Sequence, residues 1–252
     1  TPDRIPLEAC KDKASYAWLF PHPRAAELTD TLFRMALRLR LGLNPLPYDL
    51  PSPCPLCGKG DGDAWHPFAC STIRRRSVTK RHDNAMDLVC RYARSCSVLA
   101  SWQPKDLKSL VPDAEFHFAH RTVLADLTGV HVCAPSHLIS ARPGSALAAR
   151  ARSKTAKYIA QAREAHSDFA PLVADVYGSM HGEFTAFIDS IEIEASQAGF
   201  APSPSRMTRA SFMAEFSTAW QADNGRIILE WQRLCRQRLF HSWNGRASLL
   251  IA

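Results

Sequence analysis

The sequence predicts a mixed α/β protein, a small mixed β-sheet flanked by helices, with a Cys-containing segment before it and further helical segments around it. Three observations carry this. The chain has 252 residues with 46% apolar side chains, enough for one substantial core and a smaller attached one, since domains run to about 100–200 residues. Apolar residues recur at helical spacing in some stretches and alternate in others, in the order helix, strands, helix, strand. No internal repeat or low-complexity tract interrupts that order.

The first helix is expected over 25–41, where Leu28, Leu32, Met35 and Leu39 form a stripe widened by Phe33 and Ala36, with Thr29 and Asp30 as caps. Residues 44–55 hold five prolines and read as an extended linker. A second helix is expected over 78–96, because Ala85, Val89, Tyr92, Ala93 and Cys96 recur with a period near 3.6. Residues 115–120 and 121–132 read as the two strands of a hairpin: Phe116 and Phe118 alternate with polar neighbours, and Val123, Leu124, Leu127 and Val130 suit a strand. A third helix over 145–165 carries Leu147, Ala151, Thr155, Tyr158 and Ala162 on one face. The apolar run 169–178 fits a buried strand once past Pro171. Residues 183–197, 207–221 and 226–240 look helical, separated by APSPS and ADNG breakers. The expected organisation is an N-terminal helical segment and linker (1–50), a Cys/His segment (51–77), the sheet domain (78–180) and a C-terminal helical cap (181–252).

Thirty-one Lys plus Arg against 24 Asp plus Glu give a formal charge of +7 and a pI near 9.1, which favours polyanionic partners through counterion release. No stretch approaches the ~20 apolar residues of a bilayer span, and the N-terminus lacks a signal pattern, so a soluble, unsecreted protein is expected, with no membrane partner. Thr1 without a preceding Met is expected of a processed product or a piece of something longer. Three of the eight cysteines fall within 17 residues at metal-ligand spacing, a pattern that suits a reducing compartment better than a disulfide set.

Those three, Cys54, Cys57 and Cys70, combine with His66 as C-x2-C-x8-H-x3-C. Two close thiols on a tight turn and a later His/Cys pair suit tetrahedral Zn2+, and four protein ligands leave no open position for water, so the ion is structural. It would brace Arg74, Arg75 and Arg76, a run that fits phosphate contact and a solvated face equally well.

Asp113 follows Pro112, and Asp126 follows after twelve intervening residues. On adjacent strands joined by a tight turn the two carboxylates can converge on one divalent ion, Mg2+ or Mn2+ by ligand hardness, which activates water for phosphodiester cleavage. A nearby ammonium balances charge on the phosphate. Lys154 and Lys157 share a helical face with Arg150 and can supply it, although surface solvation accounts for both lysines as well.

In succession, C-x2-C with H-x3-C, Lys80-Arg81-His82-Asp83, Pro112-Asp113, Asp126 and Lys154-Thr-Ala-Lys157-Tyr158 resemble the C-terminal region of site-specific non-LTR retrotransposon proteins. That region carries a zinc knuckle followed by a restriction-like endonuclease of the PD-(D/E)-X-K superfamily, and the resemblance spans about residues 54–178. It implies a restriction-endonuclease-like sheet, with Asp113 and Asp126 as metal carboxylates, Lys154 as a migrated catalytic lysine and Lys157 as its understudy. Arg81 and His82 match an Arg-His-Asn element close to the site; His82 joins the catalytic set, and Arg74–Arg76, Lys80, Arg81 and Arg150 the DNA-binding set. The implied activity is nicking of target DNA in the nucleus, so that the 3' hydroxyl primes reverse transcription. DNA, the RNA of the parent element and an upstream polymerase domain, on this or another chain, are the implied partners. Two departures, Asp83 in place of Asn and Thr128 where many nucleases place lysine, favour the alternative, a non-cutting nucleic-acid-binding or scaffolding derivative. A zinc-stabilised helical interaction protein is a third reading.

His117, His120, His131 and His137 flank the aspartates and read as ordinary strand or loop residues. Trp220, Trp231, Trp243 and Phe240 are expected in a helical core, and Cys10, Cys90, Cys96, Cys133 and Cys235 as buried small hydrophobes.

Overall fold

The computed structural model describes residues 12–20, 22–46, 51–59, 65–103, 111–132, 144–197 and 206–249. In chain order the elements are α1 (Lys13–Tyr16), α2 (Asp30–Arg40), α3 (His66–Ala69), α4 (Ser71–Ile73), α5 (Thr79–Ser95), β1 (Leu99–Trp102), β2 (Ala114–His117) and β3 (Thr122–Val130). Then come α6 (Ser145–Glu164), β4 (Asp168–Asp175), α7 (Gly182–Gln197) and α8 (Arg209–Leu249). Two compact units result, neither continuous in sequence: residues 1–27 with 82–220, and 28–81 with 221–252.

The first unit holds a four-stranded mixed sheet in the order β1-β2-β3-β4. The first three strands are antiparallel neighbours, and β4 lies parallel to β3, a step that requires a long crossover, here containing α6. Strand residues alternate between faces. Ala114, Phe116, Val123, Ala125, Leu127, Leu172 and Ala174 point into a core shared with α5, α7 and the start of α8. Aromatic pairs fill it, Tyr92 stacked on Phe212 at 4.8 Å and Phe116 edge-on to Phe187 at 4.9 Å. The opposite face of β3, with Asp126 and Thr128, looks toward α6.

The second unit packs Met35 and Leu39 of α2 against Leu46, Phe68, Ile73, Ile227, Ile228 and Trp231. Thr29 caps α2 as expected, its Oγ1 accepting the Leu32 N–H. Phe33, expected in the buried stripe, is exposed.

Three expectations change. Strand β1 has no counterpart in the sequence reading: its four residues alternate only between exposed and half-buried, as an edge strand may. Pro171 lies inside β4, not before it; β4 is the sheet's other edge, where a missing N–H breaks no ladder. The ADNG stretch does not divide two helices but runs through the middle of α8. The side chains that ordinarily stop a helix are used within the unit: Asp223 pairs with Arg226 at 2.6 Å, and Asn224 accepts from the Arg81 guanidinium at 2.6 Å. A Cβ at Gly225 would meet Leu32 Cδ2 at 2.5 Å, so this glycine permits close approach and makes no turn. Among the described residues no helix is long and apolar enough to cross a membrane.

Candidate metal centre and acid cluster

In the second unit, Gly58 takes a φ of +70° and its N–H donates to the Cys54 carbonyl at 2.8 Å, closing the turn that carries Cys54 and Cys57. His66 opens α3 and Cys70 ends it, with the Cys70 N–H on the His66 carbonyl at 2.8 Å, so both side chains project from one helical turn. Thr72 Oγ1 ties the limbs together by donating to the Leu56 carbonyl at 3.2 Å. The four ligand atoms lie within 4.8 Å of one another, with Cys54 and Cys70 sulfurs 4.0 Å apart and Cys57 Sγ 3.3 Å from His66 Nε2. Residues 54, 57, 66 and 70 are thus close enough to hold a metal ion.

Electrostatics favour a cation there. Burial opposes ionisation of Cys54, but the N–H groups of Cys57 and Leu56 outweigh it and bring the thiol down to about 6. Burial pushes Cys70 up to about 11, with the Cys54 charge adding to it. Cys235, on α8, is driven up to about 12 by burial and then by the charge of Cys54. Only a positive ion lets adjacent thiols be thiolates together.

The first unit holds the second cluster. Ala114 pairs with Ala125, and extending that ladder by one position sets Asp113 opposite Asp126, on the face away from the aromatic core. Asp126 is buried, and its Oδ2 receives no directed hydrogen bond. The Lys154 ammonium stands against that oxygen at 2.5 Å as an ion pair. Asp113 Oδ2 accepts the Leu127 N–H at 2.7 Å, which brings its carboxylate to the strand position beside Asp126. The same oxygen bonds His82 Nε2 at 2.8 Å, and the other ring nitrogen meets Asp83 at 3.0 Å. Burial alone would lower the His82 pKa; the hydrogen bond and charge of Asp113, followed by those of Asp83, outweigh it and raise the pKa to about 9.

Helix α6 delivers a row at four-residue spacing: Arg150, Lys154 and Tyr158. The Arg150 guanidinium reaches Thr128 Oγ1 at 3.3 Å, one step along β3 from Asp126 on the same face. Tyr158 stacks on Phe169 at 5.1 Å. Its pKa is raised, first by burial, then by hydrogen bonding and charge from Asp126, then by the charge of Asp113. The exposed Lys157 donates to the Tyr158 hydroxyl at 2.8 Å.

Comparison with family models and with curated proteins gives no match. Geometry therefore carries the functional reading.

Asp113, Asp126, Lys154 and His82 come together, with Lys157 one phenol away. Arg74, Arg76 and Lys80 are exposed, while the Arg75 side chain lies outside the described residues. Arg81, expected in the DNA-binding set, is 5% exposed, bonded to Asn224 and beside the Phe68 ring, and burial lowers its pKa to about 10. Its guanidinium lies in the interior of the second unit. His117 and His120 are exposed, and His137, Cys10 and Cys133 lie outside the described residues. Trp220 and Trp231 are core, Phe240 is exposed, and the Trp243 side chain lies outside the described residues. Sequence reading missed the polar role of Tyr158, which it placed on an apolar face; its position one residue after Lys157 and four after Lys154 was the available signal.

Proposed function

We propose that this chain is a divalent-metal-dependent endodeoxyribonuclease of the restriction-like kind, which nicks target DNA for reverse transcription by a retrotransposon protein and is braced by a structural zinc. The observation that carries the reading is the Lys154 ammonium 2.5 Å from a buried, otherwise unbonded Asp126 oxygen, with Asp113 opposite on the same sheet face.

The donor set fits a hard cation: two carboxylates on neighbouring strands, one with a buried oxygen lacking a directed partner. A bound Mg2+ or Mn2+ would supply Lewis acidity and lower the pKa of a water for attack on phosphorus. The chain's own residues do the rest. His82 fixes Asp113 by a charge-assisted hydrogen bond, and Asp83, which departs from the expected Asn, is the group that holds His82 from behind. Lys154 balances charge on the phosphate as the 3' oxygen leaves. Arg150 fills the space beside Thr128 with a cation. For zinc, a tetrahedron with metal–sulfur bonds of about 2.3 Å has ligands about 3.7 Å apart, close to the 3.3 and 4.0 Å separations in the Cys/His cluster.

Purified protein with Mn2+ or Mg2+ should convert supercoiled plasmid to open circles. Asp113→Ala should abolish this while DNA retention survives; equal cutting by the variant removes Asp113 from the mechanism. The second reading, a non-cutting nucleic-acid-binding derivative, draws on Thr128 Oγ1 being engaged by Arg150 where a lysine is usual. Divalent-dependent cleavage suppressed by Lys154→Ala would reject it.

A further inference from the structure

Beside the acid cluster stands one cation that neither carboxylate claims. Asp126 has Lys154 against its Oδ2, and Asp113 Oδ2 accepts from the Leu127 N–H and meets His82. Arg150 pairs with no carboxylate among the described residues, where its guanidinium has a single partner, the Thr128 hydroxyl, met by Nε at 3.4 Å and by Nη2 at 3.3 Å. Nε and Nη2 form one edge of the guanidinium, so that edge is occupied by one oxygen. The fork at the end of the group, an N–H on Nη1 and another on Nη2, has no partner among the described residues. Thr128 is 8% exposed and fixed in β3, whereas Arg150 is open to solvent on α6. A strand rises about 3.3–3.4 Å per residue, so Asp126 and Thr128, on one face, are about 7 Å apart along β3.

We propose that Thr128 is a positioning residue that seats Arg150 as the phosphate-binding group of the site, the free fork taking two oxygens of a backbone phosphate of the DNA strand held beside Asp113 and Asp126. The inference rests on the reading of the chain as a DNA endonuclease and deepens it: the threonine standing where many nucleases place lysine has a task of its own. A planar guanidinium presents parallel donors that match a phosphate, and holding its plane beforehand reduces the ordering left for binding. A hydroxyl is the suitable anchor. A carboxylate at position 128 would neutralise the charge that attracts the phosphate, and an ammonium there would repel the guanidinium. The β-branched threonine is stiff at χ1, which holds its Oγ1 in one place.

The test is duplex DNA binding to zinc-replete full-length protein in the Asp113→Ala background without added divalent ion, over a series of salt concentrations. Each phosphate neutralised adds about 0.9 to the slope of log K against log salt. Arg150→Gln should flatten the slope by that amount, and Arg150→Lys should restore the slope without restoring the affinity, because charge returns and the fork does not. Thr128→Val keeps the side-chain shape and removes the hydroxyl; it should keep the slope and weaken binding about 3–10-fold, and Thr128→Ser should regain the affinity. An unchanged slope in Arg150→Gln, full recovery in Arg150→Lys, or Thr128→Val within about twofold of its background overturns the proposal. Should Thr128→Val fail to fold, the two arginine variants decide by the same outcomes. With Asp113 intact, plasmid nicking in Mn2+ separates the two readings: a chain that nicks while Arg150→Gln leaves the slope unchanged overturns this inference alone. A slope that flattens as expected in a chain that nicks nothing overturns the endonuclease reading and leaves this inference standing. A chain that binds no DNA overturns both.

Discussion

Replacing Lys154 by Met should make the metal-free protein weaker and its grip on a divalent ion stronger. The Lys154 side chain is 15% exposed and the Asp126 side chain 4%, and 2.5 Å separates ammonium from carboxylate. Truncating one partner of such a buried pair leaves a lone charge at a cost of about 3–5 kcal/mol. A chain of this size loses about 2–4 °C of melting temperature per kcal/mol, so Lys154→Met should melt about 6–20 °C lower without divalent ion. A cation on Asp126 replaces the missing charge. Whatever part of the loss it restores appears as tighter binding, about tenfold for each 1.4 kcal/mol. Thermal melts of parent and variant over a Mn2+ titration measure both quantities, and the upward shift at saturating Mn2+ should be larger in the variant by the part of the loss that the cation restores. A variant that melts like the parent, or whose shift is no larger, would show that the ammonium and the cation do not share Asp126.

Cys70→Ser should lower bound zinc from one equivalent toward none and expose the core of the second unit, read by elemental analysis and by the fluorescence of buried Trp231; full zinc retention would refute the four-ligand set. Asp175 supplies a pH effect. Burial raises its pKa to about 8, against the N–H groups of Ser179 and Tyr177 that act to lower it. A folded-state pKa above the unfolded value contributes stability that is complete below about pH 4 and is lost as pH rises toward 8, at up to about 1.4 kcal/mol per unit. Asp175→Asn can still accept both N–H groups at Oδ1, so urea unfolding between pH 4.5 and 7.5 should have a flatter profile than the parent; an unchanged profile refutes the assignment.

Local chemistry made much of this legible from residues alone. Thr29 caps α2, the 3.6-residue recurrence of Ala85, Val89, Tyr92, Ala93 and Cys96 marks α5, and the alternation around Phe116 and Val123 marks the hairpin. The Cys54, Cys57, His66 and Cys70 cluster was legible because a turn and one helical turn suffice to gather its atoms. What escaped depended on distant partners. Strand β1 exists through its pairing with β2, since its own four residues carry almost no pattern. Asp223, Asn224 and Gly225 read as a breaker until Arg226, Arg81 and Leu32 are seen to use them. Arg81 enters the DNA-binding set through the resemblance, and only Asn224, far along the chain, reveals it as interior. Tyr158 fits an apolar stripe by period, whereas its hydroxyl is read only from its contact with Lys157.

Helix α8 gives Phe212, Phe216 and Trp220 to one core and Ile227, Ile228, Trp231 and Cys235 to the other. Dissecting the protein for study is therefore governed by that helix and not by motif borders. A fragment cut to the Cys/His segment alone lacks the floor beneath its ligands, and one stopped at Trp220 leaves them equally uncovered. Expression boundaries that respect folding must keep residues 28–81 and 221–252 together, although more than a hundred residues intervene.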